Sequence, residues 1–209
     1  MKKVIIFLVI FLKSEHSFGA DFYKSIPVIL KHEGLYSNNK NDRGGSTKYG
    51  ISVRYLEELY KKNPKLMGSF DLNKDGIIND YDIYHMNQQE AIEIYKSHWW
   101  DFYGYGNISN QKLATKIFDI SINVGHVRAH FLLKKALKKN ILLKDIELDG
   151  ILDSDTIKKI NIVCYFSCKN VLYNFQEEAI VFYKGLAEKN ESYRVFLNGW
   201  IKRVKDLDY

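Results

Sequence analysis

Proline appears only twice in this 209-residue chain, at positions 27 and 64. Proline removes a backbone donor and breaks helix interiors, so its scarcity leaves long helices open to almost the whole sequence. The apolar residues use that freedom. They recur at three- and four-residue spacing over residues 25–33, 53–62, 111–124, 127–139, 154–168, 175–189 and 193–207. Asn87 caps one more helix that runs on to Trp99 and Trp100. Sustained alternating strands are missing. Residues 34–50 are instead rich in Asn, Asp, Gly and Ser, the composition of a loop or small irregular hairpin. The expected fold is mainly α, with a small polar hairpin or loop lobe after the first helix. In that first helix Ser25 is expected to cap and Pro27 to sit in the first turn, with Gly34 as the stop.

The start of the chain has a different character. Met1, Lys2 and Lys3 precede a nine-residue apolar run at 4–12, and a polar segment ending in small residues follows. That layout is a secretory signal peptide, cut after Gly19 or Ala20. The run is too short for an ordinary membrane-spanning helix, which needs about 20 apolar residues. The formal charge of +6 falls to +4 when Lys2, Lys3, Lys13 and Glu15 leave. A mild positive charge favours anionic polymers and surfaces without choosing among them. Cys164 and Cys168 lie four apart in a helical stretch, a spacing that suits two buried thiols better than a disulfide. The lysines at 134, 135, 138 and 139 read as a solvated helix face.

The chemistry concentrates in residues 31–52, KHEGLYSNNKNDRGGSTKYGIS. Glu33 ends an apolar helical run and is followed at once by Gly34. A helix C-terminus and an apolar neighbourhood both favour the protonated acid, the form needed to protonate a leaving oxygen. Asp42 follows beyond an Asn-rich turn, where it can orient a water or balance positive charge on a sugar. The Thr47 hydroxyl can hold that water, and Tyr36 and Tyr49 offer faces for sugar stacking. Taken singly, Glu33 reads more readily as a surface glutamate beside a capping glycine, and Asp42 equally well as a turn-former.

The ordered set of segments resembles glycoside hydrolase family 108. Its members carry a Glu-Gly-Gly-Tyr, Asp, Gly-Gly-x-Thr, Tyr-Gly-Ile pattern, and HEGLYSNNKNDRGGSTKYGIS is similar to it. IYKSHWW, FDISINVG and FLNGWIKRV resemble further family segments, and ELDGILDSDT resembles the start of a peptidoglycan-associated C-terminal part. The resemblance implies a lysozyme-like fold and an N-acetylmuramidase with Glu33 as its catalytic residue. The family includes phage endolysins and a muramidase that assists toxin export. Leu35 stands where a second Gly is usual. Relative to phage-type lysozymes Thr47 sits one residue closer to Glu33, which leaves inversion and retention both open. The implied organisation is a signal peptide at 1–20, a catalytic domain at 21–145 and a helical C-terminal part at 146–209 on the same globule.

DLNKDGIINDYD, residues 71–82, has the spacing of an EF-hand-type loop. Asp71, Asn73 and Asp75 take positions 1, 3 and 5, Gly76 the sharp turn, Ile77 a carbonyl position and Asp82 position 12. This predicts a structural calcium ion; a polar turn without metal is the other reading. Trp99 and Trp100 divide between saccharide stacking and core. Asn123, awkward in mid-helix, is a cleft candidate. The expected partner is bacterial peptidoglycan, met by an exported monomer with no stable membrane insertion after signal cleavage. Catalysis needs no cofactor, and no nucleic-acid motif is present. A lytic transglycosylase and a non-catalytic wall-binding protein are the rival readings.

Overall fold

The computed structural model describes residues 19–33, 36–37, 46–62 and 64–207. It is mainly α and lysozyme-like. Helix α1 (Phe22–Glu33) leads into a small sheet of β1 (Tyr36–Ser37), β2 (Thr47–Lys48) and β3 (Ile51–Ser52), and α2 (Val53–Lys62) follows directly. The strands are antiparallel in the order β1-β2-β3, with Ser37 opposite Thr47 and Thr47 opposite Ser52. A short 3-10 turn (Pro64–Leu66), α3 (Met67–Phe70), α4 (Asp80–His85) and α5 (Gln88–Tyr95) lead to α6 (Gln111–Val124) and α7 (His126–Lys138). Helices α8 (Ser154–Lys189) and α9 (Arg194–Lys205) complete the described chain.

Helix α6 is the centre. An unbroken run from Leu113 to Ser121 is buried, so this helix is enclosed on all sides rather than along one stripe. Asn110 caps it by accepting from the Leu113 N–H, and Gly125, at φ 82, turns the chain into α7. Its Phe118 packs on Trp100, Tyr105 and Phe22 with ring centroids 5.4, 5.7 and 6.2 Å apart. Such pairs add about 0.5–1.5 kcal/mol each beyond their buried area. Helices α4 and α5 both open with capping boxes, Asn79 with Asp82 and Asn87 with Glu90.

Several expectations change. Helix α1 begins at Phe22, because Asp21 Oδ1 accepts the Tyr23 N–H, so Asp21 and not Ser25 is the cap. Ser25 is buried and bonded to Thr115 Oγ1 at 2.7 Å, and Pro27 lies beyond the first turn. The two helices expected at 154–168 and 175–189 are both present within α8 and meet at a bend at Ser167 (φ −157°, ψ 58°), so the second starts several residues before its expected position. That bend corrects the cysteines. Cys164 and Cys168 are joined as a disulfide with Cα atoms 3.8 Å apart, nearer than one straight helical turn of about 5.4 Å allows. The lysines of α7 are not simply solvated either: Lys134 is buried against Asp149 at 2.7 Å, and Lys135 and Lys139 both pair with Glu178.

Candidate active site

The hairpin of β2 and β3 turns through Tyr49 and Gly50, both at positive φ (52° and 80°). A two-residue loop with both residues left-handed matches the twist of its strands, and glycine adopts it without strain. The second reason for glycine is contact. A Cβ on Gly50 would lie 2.5 Å from the Tyr95 hydroxyl oxygen and 2.7 Å from both Cγ and Oε2 of Glu33. The end of α1, the hairpin turn and the end of α5 therefore meet at one point, where Tyr95 donates to the Tyr49 carbonyl at 2.8 Å. Burial, and next the Glu33 charge, push the Tyr95 phenol well above its ordinary range, so it remains a donor.

The other oxygen of Glu33 faces the opposite way. Arg203 of α9 donates from Nη2 to Glu33 Oε1 at 2.5 Å and from Nε to Asp119 Oδ1 of α6 at 2.9 Å. The isolated apolar setting expected for Glu33 is thus an ion-paired one. Asp119 is fully buried and also takes His32 Nδ1 at 3.0 Å and Lys116 Nζ at 3.1 Å. Burial alone would raise its carboxyl, but the His32 hydrogen bond and the Arg203 and Lys116 charges outweigh burial and hold it below the usual range. Burial likewise opposes charge on Arg203, and Asp119 and Glu33 more than restore it.

Glu33, with its side chain 16% exposed, stands between two clefts. One, of about 950 Å³, begins at Gly50 and Tyr95 and is walled by Tyr55, Trp99, Tyr103 and His126. The ring of Tyr103 stacks on His126 with centroids 4.6 Å apart. The second, of about 520 Å³, is lined by His32, Asn123, Trp200 and Arg203. A carboxylic acid placed between two grooves, one richly aromatic, suits a bond in the middle of a bound polysaccharide.

The sequence candidates distribute unevenly over this geometry. Trp99 lines the larger cleft. Its Nε1 is buried without a hydrogen bond, and burial pushes the neighbouring Tyr55 phenol well above its ordinary range. Trp100 is set apart from the cleft and belongs to the core with Phe22, Tyr105 and Phe118. Asn123 lines the second cleft and accepts from the Tyr183 hydroxyl at 2.5 Å. Thr47 sits in β2, and Tyr49 contributes the carbonyl that receives Tyr95. Asp42 and the Tyr36 side chain lie outside the described residues.

In the 71–82 loop, Gly76 (φ 85°) and Lys74 (φ 60°) form the sharp turn. Asp71 accepts from the Asp75 and Gly76 N–H groups, and Asp82 accepts from those of Leu72 and Asn79. Ile77 is exposed, and Asn73 bonds Asp75. Among the described residues no three acidic, histidine or cysteine side chains converge as a metal-holding group. The loop still bears on the site: Asp80, within it, accepts from the Ser46 hydroxyl at 2.7 Å, and Lys48 reaches the carbonyl of Tyr84, just beyond it, at 2.6 Å.

Arg203, Asp119, His32 and Tyr95 escaped the sequence reading as site residues. Three of them lie in the motif-like segments FLNGWIKRV, FDISINVG and IYKSHWW, but only folding brings those segments to Glu33.

Residues 26–125 match the family model described as Glycosyl hydrolase 108. Among solved structures the chain is similar to that of Brucella abortus SagA, at 19% identity and a TM-score of 0.67, covering 89% of this chain and 90% of that one. The likeness shows a shared fold. No curated protein matches. The matched stretch takes in most of α1 through α6 and holds the Glu33 site, and with this glycosyl hydrolase 108 domain the chain is a glycoside hydrolase that acts on peptidoglycan.

Proposed function

We propose that this chain is an exported N-acetylmuramidase that hydrolyses the β-1,4 bond between N-acetylmuramic acid and N-acetylglucosamine, with Glu33 as general acid. The observation that carries the reading is the position of the Glu33 carboxyl between two clefts, with one oxygen on Arg203 and the other beside Gly50. In this role Glu33 delivers a proton to the glycosidic oxygen as the C–O bond breaks. Arg203 stays balanced throughout, because Asp119 remains its anionic partner when Glu33 is neutral. Asp42 manages the water or the positive charge on the sugar, and Thr47 helps hold that water. Trp99 and its aromatic neighbours supply stacking faces for the glycan, with Tyr36, Tyr49 and Asn123 as further contacts.

Export rests on the N-terminal segment. No helix among the described residues is long and apolar enough to cross a membrane. A calcium ion in the 71–82 loop is a further part of the proposal. The turn at Gly76 and the bonds from Asp80 and Tyr84 to the hairpin support it, since an ion there would stiffen the wall of the site.

The test is digestion of purified cell wall by the wild type and by Glu33→Gln, with mass spectrometry of the products. Released fragments with a hydrated muramic acid end, absent with Glu33→Gln, are expected. A 1,6-anhydro end would make the enzyme a lytic transglycosylase, and undiminished release by Glu33→Gln would remove Glu33 from the chemistry.

A further inference from the structure

Helix α8 is apolar on both faces. Its inner face places Ile157, Ile160, Val163, Val171, Leu172 and Phe175 in the core. Its outer face carries Ile162, Tyr165, Phe166 and Tyr173, of which Tyr165 is 85% and Phe166 73% exposed. Lys158, also exposed, shares one helical face with Ile162, Tyr165 and Phe166 before the bend at Ser167, and exposed Lys169 shares one with Tyr173 beyond it. A helix apolar all round is ordinarily covered on both sides. Here no other described residue covers the outer side.

The chemistry of the outer face says what covers it. Between Thr156 and Gln176 there are three lysines and no acidic residue. Large aromatic and aliphatic side chains beside lysines, without acids, make up the face that lies in the boundary layer of an anionic bilayer. Tyr165 and Phe166 are moreover held out together. They fall between Cys164 and Cys168, which the disulfide joins across the bend at Ser167, and their rings meet edge to face at 5.1 Å. A fixed aromatic pair loses little side-chain freedom on docking.

A second observation concerns position. Asn161, beside Ile162, accepts from the Ser109 N–H and donates to the Asn107 carbonyl, both at 2.8 Å. Ile108, between them, receives the Ala20 N–H at 2.9 Å. Ala20 therefore lies near this face of α8. Glu33 lies at the other end of α1, a 12-residue helix of about 18 Å.

We infer that the outer face of α8 is a docking surface for an anionic phospholipid bilayer. It adsorbs without crossing the membrane, and it sits at the end of α1 opposite Glu33, so the site is held away from the lipid. The partner is the lipid surface. A glycan that stacks on the same rings is the competing outcome.

The experiment uses the chain from Gly19, which retains every residue of the core from Phe22 to Val204. It is sedimented with phosphatidylcholine vesicles with and without phosphatidylglycerol, and separately with purified wall sacculi. We expect binding to the anionic vesicles only, at least tenfold weaker for Tyr165→Ser/Phe166→Ser. For Lys158→Gln/Lys169→Gln we expect a loss of about fivefold per lysine, with less response to salt. Unchanged melting temperature and unchanged cleavage of soluble glycan fragments confirm that both variants are folded. Should the aromatic variant misfold, the lysine variant decides alone. The proposal is overturned if wild type ignores anionic vesicles, if both variants bind them like wild type, or if the aromatic substitutions reduce binding to sacculi instead.

Discussion

Replacing Gly50 with alanine tests the contact on which the site depends. The added Cβ would stand 2.7 Å from Cγ and Oε2 of Glu33 and 2.5 Å from the Tyr95 oxygen, where ordinary contact begins at 3.4 Å. Something must yield by about 0.7–0.9 Å. The hairpin is tied by its strand pairing and by Tyr95, and Arg203 holds the far side of Glu33. The displacement therefore falls on the carboxyl. A misplacement of about 1 Å in a catalytic group costs on the order of 10²-fold in rate. The left-handed backbone adds about 1–2 kcal/mol of strain, which for a chain of this size lowers Tm by about 2–8 °C. The assay is the initial rate of wall clearing at a temperature well below the transition, beside a thermal melt. Gly104→Ala is the matched control: it stands at φ 68°, remote from Glu33, with its nearest neighbours at 3.1 and 3.4 Å. It should lose comparable stability and keep its rate. If Gly50→Ala clears walls as fast as Gly104→Ala, the hairpin does not position Glu33 and the reasoning fails.

Arg203→Ala leaves Asp119 and Glu33 facing each other without their shared cation; urea unfolding should show a loss of about 3–5 kcal/mol, and an unchanged midpoint would mean that the pair contributes nothing. His130 is buried on the Tyr105 hydroxyl, and burial, then the His126 charge, lower its imidazole to about 3. Since the unfolded chain takes up that proton near pH 6.5, stability should fall as pH drops below 6.5, by up to about 1.4 kcal/mol per pH unit. His130→Gln should flatten the melting temperature between pH 6.5 and 5, a window above that in which Asp119 loses its contribution, which lies below the ordinary carboxyl value of 3.8. Adding calcium to chelator-treated protein should raise Tm, and Asp75→Ala should abolish the rise; no shift in the parent protein rejects the ion.

Much of the fold was legible because helical periodicity is local. Helices α2 and α6 end where their patterns do, Asn87 caps as its spacing predicts, and Gly125 divides α6 from α7. The errors share a cause. Ser25 has the composition of a cap but lies inside a helix against Thr115, and Lys134 has that of a solvated face but is buried on Asp149. In each case a partner distant in sequence supplied the bond that the local pattern could not show. The disulfide was missed for a related reason, since a straight helix forbids it and only the bend at Ser167 permits it.

The amino-acid sequence by itself determined a helical chain with one glycine-rich excursion and singled out Glu33 at its edge, because periodicity, capping and turn chemistry act over a few residues. The tertiary structure decided what Glu33 touches. It brought Arg203 from 170 positions away, set Asp119 behind it, and closed Gly50 and Tyr95 on the other side. A carboxyl's chemistry depends on the charges and contacts within a few ångströms, and chain order does not record those distances.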